Sequence, residues 1–153
     1  LAERAAASDM TLGIEVVNRY DSNLINTAEQ ALQMIDEIGA PNVVVHLDTY
    51  QMNIEEEDYR VPVLAAGDKL GYVHISESHR GYLGTGTVDF DTFFATLREI
   101  GYAGPIVFES FSSKVVSPAL SNTLGIWREH WQDGMDLAKH ARSFMRERLT
   151  DGG

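Results

Sequence analysis

The sequence predicts an α/β fold made of parallel strand–helix units, and three observations carry that reading. Short β-rich runs occur four times. Each is followed by a stretch whose apolar residues recur at helical spacing. The strand ends fall at Glu15, Asp48, His74 and Glu109, spaced 33, 26 and 35 residues apart, about one βα unit per interval. The chain has 153 residues, 44% hydrophobic and 23% charged, which suits one folded domain over residues 1–153 rather than a disordered chain.

The elements follow in order. Residues 1–10, LAERAAASDM, read as the tail of a preceding helix. Thr11-Leu12-Gly13-Ile14-Glu15-Val16-Val17 is the first strand. A helix comes next, with Asn26 as N-cap and Glu29 three residues on, the chemistry of a capping box. Ala28, Ala31, Leu32, Ile35 and Ile38 line its apolar face, and Gly39 and Pro41 end it. Val43-Val44-Val45-His46-Leu47 is apolar on both faces, as a buried parallel strand should be, and ends at Asp48. Residues 49–60 are polar and acidic and predict a long loop with one helical turn at 54–58. A short helix is expected at 62–66, where Pro62 suits a first turn.

Leu70-Gly71-Tyr72-Val73-His74-Ile75 is the third strand. Residues 76–87 carry three glycines and predict a loop. Asp89 caps a helix over 90–100 whose stripe is Phe90, Phe93, Phe94, Leu97 and Ile100. Pro105-Ile106-Val107-Phe108 is the fourth strand and ends at Glu109. A final helix is expected over 120–149, with Gly134 as an interruption or a break.

Composition excludes several functions. With no cysteine, disulfide scaffolds, thiolate zinc sites and cysteine nucleophiles are ruled out. A formal net charge of −11 opposes a nucleic-acid binder, which needs a basic face. No apolar run approaches the roughly 20 residues of a membrane span, and the first residues lack a signal-peptide core, so a cytoplasmic protein that touches no membrane is expected.

The four strand ends carry the chemistry. In parallel α/β sheets the carboxyl ends of the strands converge on the ligand site. One carboxylate there is most often a helix cap, and one histidine after an apolar run is most often structural. Glu15, Asp48, His74 and Glu109 at four equivalent positions point instead to a shared, oxygen-rich metal site. Such donors favour Mn²⁺, Mg²⁺ or Co²⁺. An octahedral ion with four protein ligands keeps two positions for adjacent sugar oxygens.

Four segments then resemble the ketose 3-epimerases, the D-tagatose/D-psicose 3-epimerase group of the xylose isomerase-like TIM barrels. They are Gly13-Ile14-Glu15-Val16-Val17-Asn18-Arg19-Tyr20, His46-Leu47-Asp48-Thr49-Tyr50-Gln51-Met52-Asn53, Val73-His74-Ile75-Ser76-Glu77-Ser78-His79-Arg80-Gly81 and Gly104-Pro105-Ile106-Val107-Phe108-Glu109-Ser110. The resemblance implies that Glu15, Asp48, His74 and Glu109 are metal ligands, and that Glu15 and Glu109 are also the acid and base. It implies that Arg80 binds substrate near the C1–C2 oxygens. Asp21 stands where the family usually has a glutamate against the sugar, and Gln51 where well-known members have a histidine. The implied reaction is epimerisation of a ketose at C3 through an enediolate.

The same resemblance implies (β/α)4, half of a TIM barrel, because a full barrel needs about 250 residues. The expected partner is a second copy of the chain or an N-terminal half, besides a monosaccharide ketose. Two other readings stand beside it. One is another sugar isomerase or polyol dehydratase of the superfamily. The other is a non-catalytic half-barrel that binds metal or sugar, or only self-associates. A phosphodiesterase of the apurinic-endonuclease kind is disfavoured by five histidines and the charge of −11.

Other residues receive plainer readings. Gly84-Thr85-Gly86 lacks the full pattern of a phosphate loop. Trp127 and Trp131 are read as packing residues four apart on a helix. His46 is read as a core histidine or one supporting the ligands, pointing away from the strand ends. His130 and His140 are read as surface groups, and Glu55-Glu56-Glu57-Asp58 as a solvated face.

Overall fold

A computed structural model describes residues 1–150; the last three residues of the expected domain span lie outside the described residues. Four parallel strands form one sheet in the order β1-β2-β3-β4. After the short helix α1 (Ala2–Ala6) come β1 (Leu12–Glu15), α2 (Ala28–Ile38), β2 (Val43–Asp48), α3 (Thr49–Glu55) and α4 (Val61–Ala66). A 3₁₀ turn over Gly67–Lys69 leads into β3 (Leu70–Ile75), followed by α5 (Phe90–Glu99), β4 (Ile106–Phe108), α6 (Pro118–Leu124) and α7 (Gly134–Thr150). Among the described residues, no helix is long and apolar enough to cross a membrane.

Alternation along β2 sets the two faces of the sheet. Val43, Val45 and Leu47 are buried beneath the helices, and the intervening Val44, His46 and Asp48 point to the other, concave face. On the helical side, Ile35 of α2, Val63 of α4 and Phe93, Phe94 and Leu97 of α5 join Val73 and Ile75 of β3 in one core. The concave face therefore collects the polar side chains, and the core holds the strands that present them.

Register decides which polar side chains meet. Glu15 pairs with His46 across β1 and β2. Between β2 and β3 the pairing jumps, from Val45 with Leu70 to His46 with Tyr72. The extra residue is Gly71, where an added Cβ would lie 2.4 Å from a methyl of Val44. Only glycine fits this close approach. Without the jump, Asp48 would pair with Val73 and face the opposite way from His74. With it, Asp48 pairs with His74 on the concave face.

Several local expectations are corrected. The N-cap of α2 is Thr27, whose side chain accepts the Gln30 N–H while Gln30 returns the bond, so the capping box sits one residue later than Asn26 and Glu29. Asn26 instead donates to the carbonyls of Val17 and Ser22 and ties the loop to the strand. The expected loop at 49–60 begins as α3, because Asp48 accepts the Tyr50 N–H and caps it. The single C-terminal helix is two. Ser117 caps α6, Gly125 ends it in a left-handed conformation, and α7 starts at Gly134. Trp127 and Trp131 consequently lie between helices rather than on one.

Candidate metal centre at the carboxyl ends of the strands

Each predicted ligand sits where its strand stops. Glu15 and Asp48 end β1 and β2, His74 is the last residue but one of β3, and Glu109 follows β4. Glu109 is held by its own N–H, which donates to the carbonyl of Ile75 at 3.0 Å. The sheet brings these ends together. His74 Nδ1 lies 3.4 Å from Glu15 Oε1 and 4.0 Å from Glu109 Oε1. Asp48, His74 and Glu109 offer donor atoms all within 4.8 Å of one another, and so do Glu15, His46 and His74.

Two buried side-chain nitrogens have no hydrogen-bond partner among the described residues: His74 Nδ1 and His46 Nε2. Leaving such an atom unpaired costs about 1–3 kcal/mol. A cation in front of His74 Nδ1 would satisfy it and offset the charge of the neighbouring carboxylates. The donor set therefore fits a divalent ion.

Electrostatics reflect the crowding. Burial pushes Asp48 up to about 6 against the opposing pull of Arg80. Burial also raises Glu15; His74 lowers it and Glu109 raises it further. Burial and then the neighbouring His74 bring His46 down to about 4, which keeps its ring neutral near pH 7.

Arg80 completes the centre. It is buried, and its Nη1 donates to Asp48 Oδ2 at 3.0 Å, Ser76 Oγ at 2.8 Å and Glu109 Oε2 at 2.5 Å. The guanidinium also lies 3.7 Å from the centre of the Tyr50 ring. Asp48 thus has two roles, with one oxygen capping α3 and the other turned to Arg80. Asp21 and Gln51 meet through Asn18. Its Nδ2 donates to Asp21 Oδ2 at 2.7 Å and to Gln51 Oε1 at 2.5 Å, and its N–H donates to Gln51 Oε1 at 2.9 Å. Asp21, Tyr50 and Arg80 line one small cavity beside the centre.

His46 differs from its sequence reading. It shares the concave face with Glu15, and its ring meets His74 edge-on at 4.3 Å. His140 is not a free surface group, since its Nε2 contacts the carbonyl of Leu83 at 2.9 Å. Ser76, Tyr50 and Asn18 received no role from the sequence. The signal for Asn18 was a polar residue three positions past a strand end, which the structure buries to 2% exposure. The acidic run is only partly solvated: Glu55 pairs with Arg19, and Glu56 accepts the first N–H of α2.

Comparison with known proteins places this geometry in context. The description of the xylose isomerase-like TIM barrel matches residues 1–148. The ketose 3-epimerase of Arthrobacter globiformis is 57% identical over 98% of this chain and 52% of its own length. An L-ribulose 3-epimerase of Mesorhizobium japonicum is 52% identical over 95% of this chain and 49% of its own. The crystal structure of D-allulose 3-epimerase from Methylomonas sp. in complex with D-allulose superposes with a TM-score of 0.93 at 57% identity, over 96% of this chain and 51% of that one. The chain spans about half the length of the curated relatives it matches.

Proposed function

The chain belongs to the xylose isomerase-like TIM barrel family, and from that premise we propose that it carries the proton-transfer centre of a ketose 3-epimerase. Glu15, Asp48, His74 and Glu109 would hold one divalent ion, Mn²⁺, Co²⁺ or Mg²⁺, which when bound would supply positive charge to stabilise the negative charge that develops on the sugar oxygens. Glu15 takes the C3 proton, the C–H electron pair becomes the C2=C3 double bond and the C2 carbonyl π pair moves onto O2, which gives the enediolate of the sugar. Glu109 returns a proton to C3 from the other face. In the reverse direction the two exchange roles. Arg80 donates to the sugar oxygens near C1 and C2 from its seat on Tyr50, and Asp21 and Gln51, joined by Asn18, contact the rest of the sugar.

The observation that supports this reading most is the placement of the two glutamates. They stand at the ends of the two outermost strands, yet both lie within 4.0 Å of His74 Nδ1, so a sugar carbon placed between them would have a carboxylate on either side. The ketose 3-epimerase names of the relatives agree with it. The sheet is open at β1 and β4, and a second (β/α)4 unit, from a longer chain or another copy, closes it.

In D₂O with Mn²⁺ and D-fructose, D-tagatose or L-ribulose, the chain is expected to place deuterium at C3. Glu109→Gln is expected to slow this roughly 10²–10⁴-fold. No incorporation with any ketose and any divalent ion overturns the epimerase reading, and undiminished incorporation in Glu109→Gln removes Glu109 from its role.

A further inference from the structure

The loop after β3 contains a carboxylate that no step above uses. Glu77 is fully buried, three residues before Arg80. Its Oε1 accepts the Ser78 N–H at 2.8 Å, the Ser78 hydroxyl at 3.1 Å and the Val88 N–H at 3.3 Å. Its Oε2 accepts the Gly84 N–H at 2.9 Å. The Ser78 hydroxyl in turn accepts the Thr87 N–H at 3.0 Å. Glu77 therefore gathers the backbone of residues 78, 84 and 88, and through the Ser78 hydroxyl that of residue 87. Within Gly84-Thr85-Gly86 the Gly84 N–H is taken by this carboxylate, which agrees with the incomplete phosphate-loop pattern of the segment. The approach is so close that a Cβ at Gly86 would lie 2.3 Å from both Glu77 Oε1 and Ser78 Oγ.

The gathered loop holds Arg80 in a conformation that arginine does not choose. Its φ is +61°, in the left-handed region that disfavours side chains with a Cβ. The turn closes with the Arg80 N–H donating to the Glu77 carbonyl at 2.8 Å. The Arg80 carbonyl accepts the Ser110 hydroxyl and the Phe111 N–H. From this strained backbone the guanidinium reaches Asp48 and Glu109. Such strain persists only where the surroundings over-determine the backbone, and the Glu77 carboxylate is the buried group that fastens this turn to the rest of its loop.

We propose that Glu77 is a positioning residue, which clamps the loop over residues 77–88 so that Arg80 keeps its left-handed backbone and its guanidinium between Asp48 and Glu109. The effect on sugar turnover rests on the epimerase reading; the clamp itself does not. Glutamine has nearly the shape of glutamate, but its amide NH₂ would turn a donor toward backbone N–H groups that already donate. Glu77→Gln therefore opens the clamp without creating a cavity.

The test is ¹⁵N NMR of the chain with arginine side-chain detection and amide hydrogen exchange. In Glu77→Gln, protection at Gly84 and Val88 is expected to fall at least 10-fold. The distinct Arg80 guanidinium signals are expected to merge with those of exposed arginines, while amides of β2 and α5 keep their protection. Unchanged Arg80 signals with the loop amides deprotected would reduce Glu77 to a local structural group and overturn the proposal. If Glu77→Gln does not fold, Ser78→Ala removes one donor and the link to Thr87; it must then shift the Arg80 signals, and no shift overturns the proposal. None of these readouts depends on sugar turnover, so failure of the clamp and failure of the epimerase reading are separate results.

Discussion

At Asp48 the fold makes a cap and a site from the same carboxylate. One oxygen accepts the Tyr50 N–H and the other faces Arg80. The side chain is wholly buried, and burial raises its pKa from 3.8 to about 6. The sign of the pH effect follows. Between these values the folded chain keeps a proton that the unfolded chain has released, so stability from this group is full below about 3.8 and is lost as pH rises through about 6. Urea midpoints from pH 4 to 7 should therefore decline in the wild-type chain relative to Asp48→Asn, which cannot titrate and still caps a helix. Parallel profiles would contradict the burial argument. Divalent-ion affinity should move the other way and rise as pH passes about 6, because the ligands must lose their protons. The four candidate ligands were legible in the sequence because each follows an apolar run. Asn18, Ser76 and Glu77 were not, because their importance lies in bonds to residues 27 to 33 positions away or to a loop's own backbone.

Among the elements, the four strands were readable from their β-rich runs, the helices α2 and α5 from periodicity, and α4 from Pro62 in a first turn. Phe90, Phe93, Phe94 and Leu97 occupy the buried face of α5, and Asp89 caps it through the Thr92 N–H. What periodicity could not show was the jump in register between β2 and β3, since a bulge depends on the neighbouring strand and not on the pattern of its own. Helix α3 was missed for a related reason. It is a short run, TYQMNIE, without a full apolar stripe, and its start is fixed by Asp48, the last residue of β2. The jump carries a prediction. Gly71→Ala places a methyl against Val44 and should destabilise the chain by about 1–3 kcal/mol, with His74 shifted from its place opposite Asp48. Val44→Ala in the same chain should recover part of the loss. Chemical denaturation of the two single variants and the double variant measures the coupling, and simple additivity would show that the close approach does not set the register.

For the whole molecule, four strands leave edges at β1 and β4 and a concave face that only one side supports. Beneath the candidate centre this face encloses a groove of about 620 Å³ lined by Thr11, Gly13, Val44, His46, Gly71, Tyr72 and Pro105. A barrel interior of eight strands is filled by layers of side chains from all of them; the described residues supply four strands. What pairs with the edges at β1 and β4 is not legible in the sequence, because a strand edge carries the same residues whether its neighbour belongs to the same chain or to a copy. If a copy closes the sheet, light scattering at micromolar concentration should find the chain associated; a monodisperse monomer would contradict that form of closure. The central claim is narrower, that four strand ends meet on one divalent ion. Anomalous diffraction from crystals of the chain grown with Mn²⁺ tests it most directly. One strong peak is expected in bonding contact with Glu15, Asp48, His74 and Glu109. A peak away from these side chains, or none at saturating Mn²⁺, would contradict it.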